Sequence, residues 1–411
     1  MQRLAAKIHA RSFRTMIRTL ISLLIASISI AAAQEPPREW TDPVTHHHII
    51  RLSDEPGSAS LYFHQNAYTA KGDLMVFTTR NGLSVIDLKT RKIRPLVEGR
   101  VGDVVVGRKT RQVFYFKGDT VYTTNLDSGE TRAIVTKPEL RSGSGLAVNA
   151  DETLLAGSFV EGPAPQPANP PQPSNSPPQE RGDNYPGKGA MMERRLAARN
   201  PMALYTINIK SGEVKTFNHS TDWLNHVQFS PTDPDLIMFC HEGPWHKVDR
   251  IWTIHTDGTG LRKIHTRSME MEIAGHEFFN PDGKTIWYDL QTPKAKEFWL
   301  AGVVLATDEK IRYKVQRDHW SVHYNVSPDG KLFAGDGGGP NSVAAPGNGQ
   351  WIYLFTPEKG ELRGEKLVDL GKHDYRLEPN VTFTPDGKWI VFRSNIFGPT
   401  QVFAVEVQKS K

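Results

Sequence analysis

The chain has 411 residues, 38% of them hydrophobic and 23% charged, with 9% aromatics. That is enough for one large domain or two ordinary ones, and too much core-forming material for a disordered chain. A mean hydropathy of −0.46, with no long apolar run after residue 35, excludes a multi-span membrane protein. The single cysteine, Cys240, excludes an intrachain disulfide framework and every multi-cysteine metal cage. The net charge of +5 leaves an acidic polymer open as a partner, while the lack of any long lysine–arginine run argues against nucleic acid.

The first residues read as an address. Arg3, Lys7, Arg11, Arg14 and Arg18 carry positive charge with no acid among them. The apolar stretch Leu20–Ile30 and the small residues Ala31-Ala32-Ala33 follow. This is the pattern of a cleavable signal peptide over 1–33, ahead of a mature chain 34–411 that is exported to the periplasm or outside the cell and has no membrane span of its own.

Beyond it a unit recurs. Its mark is a turn seen as Ser230-Pro231-Thr232-Asp233, Asn280-Pro281-Asp282-Gly283, Ser327-Pro328-Asp329-Gly330 and Thr384-Pro385-Asp386-Gly387, with weaker copies at Thr69–Asp73 and Asn149–Asp151. Proline presets the first turn position, aspartate bonds its own backbone, and glycine takes the left-handed slot. Behind each turn stands a β-rich run (LMVFTT, LIMFCHE, TIWYDL, WIVFRSN), then two short strands around a polar turn. Roughly four strands per 40 to 55 residues, in seven units starting near residues 60, 101, 143, 223, 273, 320 and 377, predict an all-β, seven-bladed β-propeller with four-stranded antiparallel blades. The last unit lacks an outer strand, and His48–Leu52 is the segment expected to supply it, closing the ring and removing an open edge. Residues 161–200 break the repeat. They are rich in proline and read as an insertion within the third unit, whose later half, MMERRLAARN, suits a short helix near the ring's mouth.

Aligning the units on their turns brings out one position. Five residues before the turn proline stand His226, His276, His323 and Asn380. In the first unit the place is Gln65, flanked by His64, and the second and third units carry apolar or small residues there, near Val104 and Gly145. The innermost strand of each blade lines the central channel, so these residues, distant in sequence, should meet on one circle. Imidazoles with amide or carboxylate partners suit Mn, Fe, Zn and similar divalent ions, and a neutral histidine equally serves as a general base. The fourth unit adds Cys240-His241-Glu242-Gly243-Pro244-Trp245-His246, a loop at a strand end, with His241, Glu242 and His246 as candidate substrate contacts and Cys240 as a buried small residue. His46-His47-His48 reads as solvent-facing.

The run NHVQFSPTDPDLIMFCHEGPWHKVDRIWTIHTDGT, with AGHEFFNPDGKTIWYD, HYNVSPDGKLFAGDGG, RLSDEPGSASLYFHQNAYT and EPNVTFTPDGKWIVFRSN, resembles the oligogalacturonate lyase family of pectin-degrading enzymes. The resemblance covers nearly all of residues 45–408 outside the proline-rich insertion. It implies a seven-bladed propeller, cleavage of short acidic oligosaccharides by β-elimination, and a manganese-type ion in the channel. It also implies His276 as a metal ligand and His226 as the base. Where the family carries a Gln-x-x-His-x-His pattern, this chain has Tyr375, Glu378 and Asn380. Glu378 and Asn380 keep oxygen donors for an ion, His323 offers an imidazole from the neighbouring blade, and Tyr375 is a poorer substitute, left as a substrate contact. The family's substrate-binding arginine is not matched residue for residue, and Arg199 and Arg195 are only neighbours of its place. Arg250 is expected to clamp a uronate carboxylate through its two-pronged guanidinium. The alternative to an enzyme is a non-catalytic binding or scaffold propeller. Oligomeric state is not legible.

Overall fold

The repeated turns close as their residues dictate. Gly72, Gly283, Gly330 and Gly387 all take left-handed backbone, with φ of 67°, 71°, 72° and 69°, and each donates its N–H to the carbonyl three residues back, at 2.8–2.9 Å. Blade 3 makes the same turn with Glu152, at φ 57°. The chain is described here from a computed structural model covering residues 36–162, 188–340, 342 and 349–409. The expected signal peptide and most of the proline-rich insertion lie outside the described residues.

Each turn joins an inner strand to the next, and the result is seven antiparallel blades. The inner strands of blades 2 to 7 are Gly102–Val106, Ala147–Val148, Trp223–Phe229, Ile273–Phe279, Tyr324–Val326 and Thr382–Phe383. Blades 2, 3 and 4 are separate four-stranded sheets. A single parallel bridge, Lys314 to Glu361, links blades 5 and 6 into one sheet of eight strands. Blade 1 departs from the pattern. Its outer strands Leu74–Thr79, Gly82–Asp87 and Ile93–Glu98 are regular, but its inner segment touches them only at Ala59–Thr78 and Tyr68–Met75. Between those bridges the chain turns over Tyr62–Gln65, closed by Gln65 N–H to the Tyr62 carbonyl at 2.8 Å.

The ring closes as expected, with one addition. His47–Arg51 pairs antiparallel with Gln401–Lys409 in blade 7, and Glu39–Thr41 then pairs outside it, so the closing strand is not the outermost. The expectation of three solvent-facing histidines is corrected by strand alternation. His46 is exposed, while His47 is fully buried, with Nδ1 2.8 Å from the Glu406 carbonyl and Nε2 3.3 Å from Glu365. Ile49 packs among blade 6 and 7 residues such as Ile352, Val381 and Phe403. Ile50 packs on the blade 1 side with Met75, Val76 and Val402. The helix Lys188–Ala198 docks on blade 4 through buried Met192, the Glu193–Lys247 ion pair at 2.8 Å and Arg195 over the Trp223 ring at 3.7 Å. No helix among the described residues is long and apolar enough to cross a membrane.

Because Ile49 is wholly buried on the strand that closes the ring, Ile49→Ala should cost about 2–5 kcal/mol, read as a lower urea midpoint. An unchanged midpoint would show that the closing strand contributes no core.

Candidate active site

The aligned position is a backbone device. In blades 2, 4 and 5 the inner strand carries one extra residue against its neighbour: pairing skips from Gly102 to Val105, from Asn225 to Gln228 and from Gly275 to Phe278. The residue at the bulge has left-handed backbone in these three blades, Asp103 (φ 50°), His226 (49°) and His276 (51°), and so do Gly145 (80°) and Asn380 (56°), just before the inner strands of blades 3 and 7. Histidine, asparagine, aspartate and glycine tolerate this region where branched or bulky residues do not. One expectation is corrected here. The blade 2 residue at the bulge is Asp103 rather than apolar Val104, and it pairs with Arg141 at 2.9 Å.

His276 and His323 come together, with ring centroids 4.6 Å apart. His323 reaches the site without a bulge. It is held by Asp336, whose carboxylate accepts the His323 backbone N–H and lies on its Nδ1, both at 2.8 Å. The other imidazole nitrogen, Nε2, faces the Tyr62 hydroxyl at 3.2 Å and Glu378 at 3.7 Å. Tyr62 is the middle of the site. Its ring lies 5.3 Å from His323, 5.6 Å from His226 and 4.9 Å from His64. The phenol is pushed well above its ordinary value by burial and then by the Glu378 charge, so it stays protonated. Phe63 packs against His276 and His323.

On the far side of Tyr62, His226 sits over a buried ion cluster. Arg250, only 2% exposed, donates Nε to Glu277 at 2.8 Å and Nη1 to Glu242 at 2.7 Å. Burial alone would raise both carboxyls. Arg250, followed by His226, outweighs it and holds both below the usual carboxylate range. His226 Nδ1 is 3.2 Å from Arg250 Nη2 and 3.4 Å from Glu277 Oε1. A neutral imidazole uses that nitrogen to accept from the guanidinium or to donate to the carboxylate, and only the second choice frees Nε2 as a base.

The remaining expected residues are placed differently. Arg250 and Glu242, expected to touch substrate, are instead bound to each other. Asn380 is buried, its amide oxygen accepting the Phe63 N–H at 3.2 Å and its NH2 donating to the Glu378 carbonyl at 3.0 Å. Tyr375 stands behind the site, its hydroxyl on the Asp336 carbonyl at 3.1 Å. His241 stacks on Trp252 at 4.8 Å and lies 3.5 Å from Asp222, which also binds Arg199 at 2.6 Å. Its neighbour in the loop, Trp245, faces His276 at 6.0 Å, whereas the His246 carbonyl is taken by Arg267. His64 stands at the site beside Tyr62 and His226 and, with Gln65, also lines a cavity of about 290 Å³ at the turn-bearing end of the channel, walled by Val105, Val227, Phe278 and Val326 among others. Tyr62, Glu277 and Asp336 were not anticipated. Glu277 follows His276 in the quoted GHEFF stretch, and Asp336 lies in KLFAGDGG, but nothing in their spacing points at the channel.

Two places have the chemistry for a divalent ion. His276, His323 and Glu378 offer imidazole and carboxylate donors, and Asp336 on His323 Nδ1 is the carboxylate that orients a ligating imidazole. These residues fit. His226, Cys240 and Glu277 also lie within 4.8 Å of one another, but Arg250 already sits on that carboxylate as the cation, and burial pushes the Cys240 thiol well up. That group does not fit.

His64 gives a pH handle. Burial, then the neighbouring His226, pulls its pKa down to about 3. Above the ordinary histidine value the folded and unfolded chains hold the same proton count at this residue. As pH falls toward about 3, the unfolded chain binds a proton that the folded one refuses, and stability drops. His64→Gln should flatten the loss between about pH 6 and 4 by about 1.4 kcal/mol per pH unit, read from urea unfolding across pH. An unaltered slope would show that the imidazole is not buried neutral.

A family model for oligogalacturonate lyase matches residues 194–411, more than half of the chain. The oligogalacturonide lyase of Pectobacterium atrosepticum is 25% identical over 405 residues, covering 90% of this chain and 96% of its own. The oligogalacturonate lyase of Dickeya dadantii is 26% identical over 402 residues, with the same coverage. A solved oligogalacturonate lyase in complex with manganese superposes with a TM-score of 0.74 at 23% identity, over 90% of this chain and 96% of that one. The chain belongs to the oligogalacturonate lyase family, and is a lyase.

Proposed function

We propose that this chain cleaves short oligogalacturonides, or a closely related uronide, by β-elimination at the mouth where His226, His276 and His323 surround Tyr62. The observation that carries the reading is this convergence: two imidazoles 4.6 Å apart, and a third across one tyrosine ring, backed by a buried carboxylate. Elimination removes the C5 proton beside the uronate carboxylate, forms the C4=C5 double bond and expels the O4 leaving group. His226 is the proposed base. With Nδ1–H directed at Glu277, its Nε2 lone pair, 3.8 Å from the Glu242 carboxylate, takes the C5 proton. Glu277 then stabilises the imidazolium, as an orienting carboxylate does for a catalytic histidine.

His276, His323 and Glu378 are the residues proposed to hold a divalent ion, manganese being the one bound by the solved relative. Such an ion would act as a Lewis acid, stabilising charge that builds beside the uronate carboxylate. Asp336 keeps His323 in the tautomer with Nε2 unprotonated, facing Tyr62 and Glu378. Tyr62 separates the proposed base from the proposed ion ligands and excludes water between them. We also propose that residues 1–33 are removed on export and that 34–411 is the mature chain. The intact mass of the protein recovered outside the cytoplasm tests this, and a chain retaining residues 1–33 would overturn it.

Digalacturonate mixed with the protein and manganese should give the ultraviolet absorbance of the conjugated C4=C5 double bond. His226→Ala should lower kcat/KM by about 100- to 10,000-fold with manganese content unchanged, whereas His276→Ala and His323→Ala should lose bound manganese. If no uronide yields the double bond, the lyase reading of this site fails. A fully active His226→Ala would remove the base from His226.

A further inference from the structure

Among the described residues, several arginines at this end of the channel are neutralised. Arg250 has two carboxylates, Arg141 has Asp103 and Arg199 has Asp222. Arg393, at the end of the second strand of blade 7, has none. Its backbone N–H donates to the Pro379 carbonyl at 2.9 Å, and its Nε to the Glu378 carbonyl at 2.7 Å. Among the described residues no carboxylate lies within ion-pair distance of its guanidinium, and no acceptor meets its terminal nitrogens. Burial lowers its basicity, opposed at longer range by the charges of Glu378 and Asp336, with the Tyr62 phenol also near. Those three are the residues that touch His323. A half-buried cation left without a counter-ion is unfavourable unless an anion arrives to meet it. A guanidinium anchored by Nε presents its two Nη groups as a fork matched to a carboxylate.

We propose that Arg393 receives a uronate carboxylate of the substrate and makes the site select the free acid over its methyl ester. This rests on the lyase reading of the same site. Arg393 is a specificity residue here. It takes no proton, and its guanidinium holds the sugar while His226 faces C5.

The test uses full-length protein in a His226→Ala background, with manganese present, so that ligand binds without turnover. Calorimetry compares digalacturonate with its methyl diester. The His226→Ala protein should prefer the acid, and adding Arg393→Met should cut that preference by at least about tenfold, with Arg393→Lys retaining part of it. Metal content and melting temperature are measured on each variant. A merely structural role would weaken both ligands alike, and that result, or an unchanged preference, overturns the proposal. Wild-type turnover separates the two readings. Cleavage with an unchanged preference removes only the role of Arg393. A wild-type protein that neither cleaves nor binds any uronide removes the lyase reading and this inference with it.

Discussion

One backbone constraint ties the fold to the chemistry: the left-handed residue inserted in the inner strands. A regular strand would point alternate side chains into the neighbouring blades. In blades 2, 4 and 5 the bulge breaks that alternation and turns one residue off the sheet. Its φ of about 50° excludes most side chains, so the position admits histidine, asparagine, aspartate or glycine almost by default. His226, His276, Asp103, Asn380 and Gly145 satisfy the backbone first. What the chain then does with them differs by blade. Asp103 binds Arg141 and Asn380 caps the Phe63 turn, while the two histidines face Tyr62 and its neighbours.

The two halves of the site are electrostatically unlike. Around His226, two buried carboxylates share one buried guanidinium. Taking these three charges out of water is costly, and close hydrogen-bonded geometry is what offsets the desolvation. The cluster is therefore rigid, and removing any member strands the others. Around His276 and His323 no cation is present among the described residues except Arg393, and the carboxylates of Asp336 and Glu378 flank the imidazoles. One half is balanced within itself, and the other is arranged around charges that a ligand brings.

The repeat made the fold legible. Glycine at the fourth turn position and β-rich runs behind it required a particular hydrogen-bonded turn, and counting turns counted blades. The ring of histidines was legible for the same reason, since a position fixed relative to the turn is fixed relative to the axis. Residues that enter the site by irregular routes were not. Tyr62 arrives on a turn where blade 1 gives up its inner strand, and no periodicity marks that. Asp336 and Glu277 act through side-chain geometry that spacing does not encode. Arg250 and Glu242 were read as substrate contacts because charged residues beside a loop suggest solvent. In three dimensions each answers the other, and the pair turns inward.

The joint between the first strand and the last has a consequence for how the molecule comes into being. His47–Arg51 leaves the ribosome before any of the seven blades, and its hydrogen-bonding partner, Gln401–Lys409, belongs to the last of them. Blades can pair internally as they emerge, but the ring stays open, with an unsatisfied edge, until Gln401–Lys409 has been made. Contacts spanning over 350 positions form late and slowly. Nascent or C-terminally clipped molecules therefore present a sticky rim that the completed ring hides. Ring closure is thus itself a checkpoint, met only once the seventh blade has been made and taken up the strand that precedes the first.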